Sequence, residues 1–316
     1  MIINWYPGHM AKAKRLIQEN LKIIDVVIEL VDARIPMSST NPMIKSLIGD
    51  KPSVVVLNKA DLADPAVLDE WVAYYKQQGR KVLALNSKGG KGVKQLISLV
   101  RSLAAPKLAR WKARGLKNRA VRTMILGIPN VGKSTLINKL SRRSAAKTAD
   151  KPGETKGKQW VHIGDQLDLL DTPGVLWPKL ENQVSAYRLA ATGAISDTVF
   201  DMETVIMQLI EQLSAQYPDE LKTRYKLETL CDKPLDTIEA IGRKRGCIVS
   251  GGVVDLEKTY KLILKEFREG KIGAISLDRL GEWEGEDCPW TSRNSASPTS
   301  RPAWPLAVTS RTSWQP

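Results

Sequence analysis

Residues 127–135 read GIPNVGKST, and this stretch decides the fold. It fits the phosphate-binding pattern G-x-x-x-x-G-K-[ST]. It follows the apolar run 121–126 and leads into the helix-like 136–140, so it lies where a strand gives way to a helix, the setting that the pattern requires. Gly127 and Gly132 let the backbone curl until successive N–H groups face a phosphate, and the helix beyond adds its positive dipole end. In this pattern Lys133 reaches the β- and γ-phosphates and Ser134 turns its hydroxyl toward Mg²⁺, while Asn130, Val131, Gly132 and Thr135 complete the cradle.

Working outward, the chain has 316 residues, 42% of them hydrophobic, enough for two domains with ordinary cores. No apolar run approaches a membrane span, since 23–31 is interrupted by Asp25 and Glu29. The first ten residues, MIINWYPGHM, carry neither a signal-peptide core nor an Arg/Ser-rich transit character, so a cytoplasmic location is expected. The three cysteines, Cys231, Cys247 and Cys288, are too widely spaced for a disulfide framework or a zinc site. The net charge of +14 is unevenly spread: residues 101–160 hold sixteen Lys and Arg against only Asp150 and Glu154. A basic surface beside a nucleotide site suits a polyphosphate such as folded RNA, although a basic solvated face has the same composition.

Along the chain, 10–21 reads as a basic amphipathic helix, with Ile17 and Leu21 at helical spacing. Strand-like runs follow at 25–32, 53–58 and 82–87, separated by helical stretches at 42–48 and 65–78 and followed by one at 91–103. Alternation of this kind predicts an α/β fold, a mostly parallel sheet with helices on both faces. A basic connector is expected at 104–119, then the strand before the phosphate loop, then strands at 159–163 and 166–170. Beyond Pro178 helical segments take over at 204–216, 234–243 and 256–269. The division expected is therefore an α/β domain over 1–180, a smaller all-α domain over 181–286, and a low-complexity tail over 287–316 that is disordered or the product of a shifted reading frame.

Two further motifs extend the site. Asn58-Lys59-Ala60-Asp61 ends a strand, and a carboxylate at Asp61 can accept from both N1–H and the exocyclic amine of guanine. Adenine offers neither donor, so GTP and GDP are favoured over adenine nucleotides. Lys59 would lay its stem along the purine and Asn58 would brace the neighbouring loops. Asn86 and Ser87, with Lys88, resemble the loop that meets the guanine carbonyl. Asp171-Thr172-Pro173-Gly174 supplies a carboxylate for the Mg²⁺ shell and a Gly174 N–H that senses the γ-phosphate. Between these, Thr155 is the candidate to close over Mg²⁺, with Thr148 a poorer one and an ordinary loop threonine the alternative.

The order is unusual: NKAD and the NSK loop precede the phosphate loop, Thr155 and DTPG, whereas ordinary small GTPases run the other way. This is a circular permutation, joined near 104–119 and opened just after DTPG. With Trp5-Tyr6-Pro7-Gly8-His9-Met10, Asp32-Ala33-Arg34-Ile35-Pro36 and DTPGVLWP in this order, the chain over about 1–281 resembles the circularly permuted ribosome-assembly GTPases, most closely the ribosome biogenesis GTPase A family. The resemblance implies GTP-dependent binding to ribosomal RNA in late assembly of the bacterial large subunit, through a C-terminal helical RNA-binding domain, with no membrane or DNA partner. The alternative is a GTP-gated RNA scaffold or a GTPase in another RNA maturation step.

Ras-like enzymes orient water with a glutamine two residues after the DxxG glycine. Here that position is Leu176, which resembles the subgroup with a hydrophobic substitution, so a low intrinsic rate raised by the ribosome is expected. His9, in a Pro-Gly turn, is proposed as the water-orienting residue, a turn histidine or an RNA contact being the alternative. Asn130 resembles the asparagine that places K⁺ in potassium-stimulated GTPases, and Arg34 either assists similarly or forms a structural salt bridge. His162 reads as structural. Within the helical part, residues 242–246 (GRKRG) are the best RNA contact.

Overall fold

The computed structural model describes residues 7–115, 119–144, 160–172 and 182–283. Helix α1 (Pro7–Leu21) leads into strand β1 (Val26–Asp32), helix α2 (Pro42–Ile48), strand β2 (Ser53–Asn58), helix α3 (Pro65–Gln77) and strand β3 (Lys81–Leu85). Pro42 and Pro65 each open a helix whose preceding residue, Asn41 or Asp64, accepts a hydrogen bond from the second N–H beyond it. Helix α4 (Val93–Ala113) then leads to strand β4 (Val121–Gly127), helix α5 (Lys133–Ser144), and strands β5 (Trp160–Ile163) and β6 (Leu167–Leu170).

The six strands lie in the order β3-β2-β1-β4-β6-β5, all parallel except β5 against β6. Started at β4, the chain would fill one half of this sheet with β4, β5 and β6, then the other with β1, β2 and β3. The permutation is therefore written in the topology. Strand β1 is buried along its whole length, with Val26, Ile28 and Leu30 facing α4 and α5, and Val27 and Val31 facing α1 to α3.

The join differs from the expected connector: residues 104–113 continue α4 as helix despite Pro106. Proline removes one helical hydrogen bond. The turns beyond it are held by burial of Trp111, by Lys107 and Arg119 over the Trp111 ring, and by the Lys107 to Asp25 ion pair. A helix of this length, about 30 Å, crosses from edge strand β3 back to the sheet centre. Helix α1 likewise starts earlier than expected, so the His9 backbone lies in its first turn rather than in a Pro-Gly turn.

Beyond the sheet come α6 (Gln183–Ala191), α7 (Met202–Gln216), α8 (Pro218–Tyr225), α9 (Pro234–Lys244) and α10 (Leu256–Arg268). Helices α6 and α8 escaped the sequence reading because both are short. Their apolar faces join the core that α4 and α5 make with the sheet. The chain then returns across the α/β part as a strap: Ile275 N–H donates to Leu62 O, and the Leu277 and Asp278 N–H groups donate to Arg34 O. The strap ends in a short 3-10 helix, Leu280–Trp283, against the α3 cluster.

Asp278 anchors that strap. Fully buried, its carboxylate accepts from the Ser38 N–H and hydroxyl, both at 2.7 Å, and from the Arg188 guanidinium of α6 at 3.0 Å. Replacing Asp278 by Ala leaves the two Ser38 donors unpaired and Arg188 with Glu282 alone as its ion partner. It should lower stability by roughly 3–5 kcal/mol, read as a shift of the urea midpoint, with Asp278→Asn milder.

Candidate functional site

In a parallel sheet the carboxyl ends of the strands share one edge, and ligands bind in the crevice beyond them. Strand β2 ends at Asn58, β3 at Leu85 and β4 at Gly127, so the loops carrying NKAD, NSK and GIPNVGKST emerge side by side. Asn58, fully buried, ties them together. Its amide nitrogen donates to Val131 O at 2.7 Å, and its carbonyl oxygen accepts from the Ser87 N–H at 3.1 Å. Gly132, at φ 103°, has the Asn58 amide 2.3 Å from where a Cβ would stand, and a Cβ on Gly127 would meet Leu30 O at 2.4 Å. Both glycines of the pattern are therefore demanded by neighbours as well as by curvature.

A cleft of about 510 Å³, within the ~300–1,000 Å³ of ordinary ligand sites, opens over these loops. Lys59, Asp61, Asn86 and Ser87 line it together with Asn130, Gly132 and Thr135, so the two halves of the expected site meet across one space. Asp61 is exposed within it. Asn86 folds its carboxamide oxygen onto the Gly89 N–H at 2.6 Å and shapes the NSK turn. Lys133 is buried, its ammonium donating to Gly127 O at 3.1 Å and Ile128 O at 2.8 Å. Burial lowers its pKa to about 8, with the negative charge of Asp171 opposing the shift. Asp171 stands exposed just beyond β6, and Ser134 and Thr135 are exposed at the start of α5.

Thr155, its weaker rival Thr148, Gly174 and Leu176 lie outside the described residues, as does the side chain of His9. His162 pairs with Asp168 at 2.6 Å across β5 and β6. Arg34 is buried and grips Asp32 with two nitrogens at 3.0 and 2.8 Å, the salt-bridge alternative of the sequence reading.

Part of the cleft wall had no signature in the motifs. Thr192, Gly193, Arg268 and Glu269, from the ends of α6 and α10, face the nucleotide-type loops. The Asn130 amide donates to Gly193 O at 2.7 Å, which fastens the phosphate-type loop to the helical region. Lys59, at φ 61°, pairs with Asp32 at 2.9 Å. Only the pairing of Asp32 opposite Asn58 in neighbouring parallel strands could have signalled that contact.

Gly132→Ala forces a Cβ against Asn58 at a backbone angle that disfavours it. Stability should fall by roughly 1–3 kcal/mol, measured by thermal unfolding. Pairing the substitution with Asn58→Ala should recover part of that loss.

A family model described as 50S ribosome-binding GTPase matches residues 122–235. It begins at the phosphate-loop strand, which this chain reaches only in mid-sequence. Ribosome biogenesis GTPase A from Priestia megaterium is 50% identical over 285 residues, covering 90% of this chain and 99% of that protein. Among solved structures, GDP-bound TM YlqF is 27% identical with a TM-score of 0.63, over 84% of this chain and 99% of that one. GNP-bound YlqF from T. maritima is 28% identical with a TM-score of 0.64, over 85% and 98%. With the permuted sheet and 50% identity over 285 residues to a relative matched over 99% of its length, the chain belongs to the ribosome biogenesis GTPase A family.

Proposed function

We propose that this chain binds and hydrolyses GTP in the cleft beneath the NKAD and phosphate loops, and that the bound nucleotide governs its attachment to the large (50S) ribosomal subunit during late assembly. The observation that carries the reading is the meeting of Asp61 with Asn130, Gly132 and Thr135 around one cleft, from segments far apart in sequence. A guanine base against Asp61 and Ser87 sets its triphosphate toward Lys133. The ammonium, already desolvated, then finds phosphate oxygens in place of the Gly127 and Ile128 carbonyls.

Mg²⁺ fits the donor set: the Ser134 hydroxyl and the Asp171 carboxylate, both exposed, are hard oxygen ligands, few enough to leave positions for water and phosphate. Thr155 would complete that shell in the GTP state, and the metal would neutralise charge developing on the phosphates. Asn130 commits its nitrogen to Gly193, which leaves its carboxamide oxygen as the atom for a K⁺. Gly174 would read the γ-phosphate and His9 would orient water. Leu176 cannot, so intrinsic turnover is low and the subunit supplies ~10³ to 10⁵ in rate, as finger-like groups do elsewhere.

The division into a GTPase domain over 1–180 and an RNA-binding helical domain over 181–286 belongs to the same reading. Two features support a link between nucleotide and RNA attachment: the Asn130 to Gly193 bond, and exposed Arg243 and Lys244 at the end of α9. No helix among the described residues is long and apolar enough to cross a membrane.

Cosedimentation with 50S particles in GTP, GDP and no nucleotide tests the proposal. Retention that depends on GTP, with turnover accelerated by the particles, is expected. Equal retention in all three conditions, or unaccelerated turnover, removes the switch. Asp61→Asn should transfer preference from GTP to xanthosine triphosphate, read by competition binding.

Because the Lys133 pKa in the protein is about 8 and phosphate contact raises it, GTP binding should take up protons above pH 8. The Lys133 contribution to affinity should then be flat well below pH 8 and fall by up to about tenfold per unit above it. Calorimetry in two buffers of different ionisation enthalpy measures the uptake directly.

A further inference from the structure

The DAR segment at the end of β1 is not absorbed by the phosphate, metal or base motifs, yet it is among the most heavily constrained places in the molecule. Asp32 is 2% exposed and Arg34 1% exposed. The Arg34 Nε and one terminal nitrogen clasp the two Asp32 oxygens, and the Arg34 N–H returns to the same carboxylate at 3.1 Å. The second terminal nitrogen is buried with no protein acceptor among the described residues. The guanidinium lies 5.4 Å from the Phe267 ring centroid of α10, and the Arg34 carbonyl receives the strap N–H groups of Leu277 and Asp278. Arg34 is thus fixed from three sides.

What Arg34 fixes in turn is Asp32, and what Asp32 holds is Lys59. The Lys59 ammonium reaches Asp32 at 2.9 Å, and the side chain of Lys59 is partly exposed to the cleft while that of Asp32 is not. Lys59 adopts a left-handed backbone angle, φ 61°, which disfavours a residue with a side chain. The turn closes with Leu62 N–H on Lys59 O at 2.9 Å, and it is this turn that presents Asp61. Burial alone would raise the Asp32 pKa. The charges and hydrogen bonds of Arg34 and Lys59 outweigh that effect and hold the carboxyl well below the usual range, so the anchor is a carboxylate at neutral pH.

We propose that Asp32 and Arg34 are positioning residues of the nucleobase pocket: the buried Asp32–Arg34 pair anchors the Lys59 ammonium, which lays the Lys59 stem as the flat wall for a purine and sets the turn that aims Asp61. Asp32 does not line the cleft, and Arg34, which reaches its wall, is committed to Asp32 through two of its side-chain nitrogens. This rests on the guanine-nucleotide reading above and assigns a further part of its machinery to the DAR segment. Arg34 touches both the strap and α10, so the wall of the base pocket is built partly on the helical region.

A double-mutant cycle tests it, with GTP and GDP dissociation constants and saturating turnover measured on the full chain. Asp32→Asn should weaken GTP and GDP by the same factor, roughly tenfold or more, because the loss falls on the base side and not on the phosphates. Turnover at saturating GTP should stay within about twofold of the parent. In a Lys59→Met background, Asp32→Asn should have less than about a twofold further effect.

Full additivity of the two substitutions would overturn the proposal and leave Asp32 a general fold residue. So would an unequal loss of GTP and GDP. If Asp32→Asn does not fold, Arg34→Lys keeps a cation at Asp32 while losing the fork, and it is read by the same cycle. Should Lys59→Met and Asp61→Asn both leave guanine-nucleotide binding intact, the nucleotide reading of the cleft fails. Should they weaken binding while Asp32→Asn and Arg34→Lys do not, only the positioning role fails.

Discussion

The Asn58 carboxamide is the contact on which the rest of this molecule turns. A side-chain amide buried without partners is costly, and Asn58 meets that requirement by joining the loops that follow β4 and β3. Gly132 must then lack a side chain, since the amide occupies the space beside it. A parallel sheet brings its strand ends to one edge; Asn58 converts nearness at that edge into a fixed spacing between the base side and the phosphate side of the cleft.

The central strand carries an unusual load of charge for a segment buried along its length. Glu29 and Asp32 lie within β1, with Asp25 just before it, and each meets a cation from a different part of the chain: Asp25 with Lys107 of α4, Glu29 with Arg80 before β3, Asp32 with Arg34 and Lys59. Burial raises the Glu29 pKa, Arg80 opposing, whereas Asp32 with two cations is held low. Buried pairs of this kind add little net stability over an apolar core. What they add here is placement: the join helix, the edge strand and the NKAD turn are each pinned to the middle of the sheet.

The helical region meets the α/β part through polar contacts that include the Asn130 amide on Gly193 O and the Ser38 N–H and hydroxyl on Asp278, each backed by an arginine of the helical region. At one end Arg268 of α10 holds the carbonyls of Ala190 and Ala191 and the carboxylate of Asp197, beside the Gly193 carbonyl that receives Asn130. At the other, Arg188 lies between Asp278 and Glu282. Between these the apolar faces of α6 to α10 merge with the core under the sheet. A displacement of the phosphate-type loop would therefore be felt at the end of α6 without an intervening linker.

The architecture and the motifs were legible in the sequence because they are local. Alternating apolar runs and turn residues mark strands and helices, and GIPNVGKST, NKAD and DTPG each carry their chemistry within a few residues. Their order alone announced the permutation. Two places misled: the basic stretch from 104 read as a connector, which burial of Trp111 overruled by continuing α4, and short α6 and α8 had too little period to register. What only the tertiary structure decided was which distant side chains share a space. The Asp32 to Lys59 pair, the hold of Asn130 on Gly193, the strap anchored by Asp278 and the share of α6 and α10 in the cleft wall depend on contacts across tens to hundreds of residues. Such contacts leave no period or motif in the chain, since they are set by packing in three dimensions and not by the spacing of neighbours along the backbone.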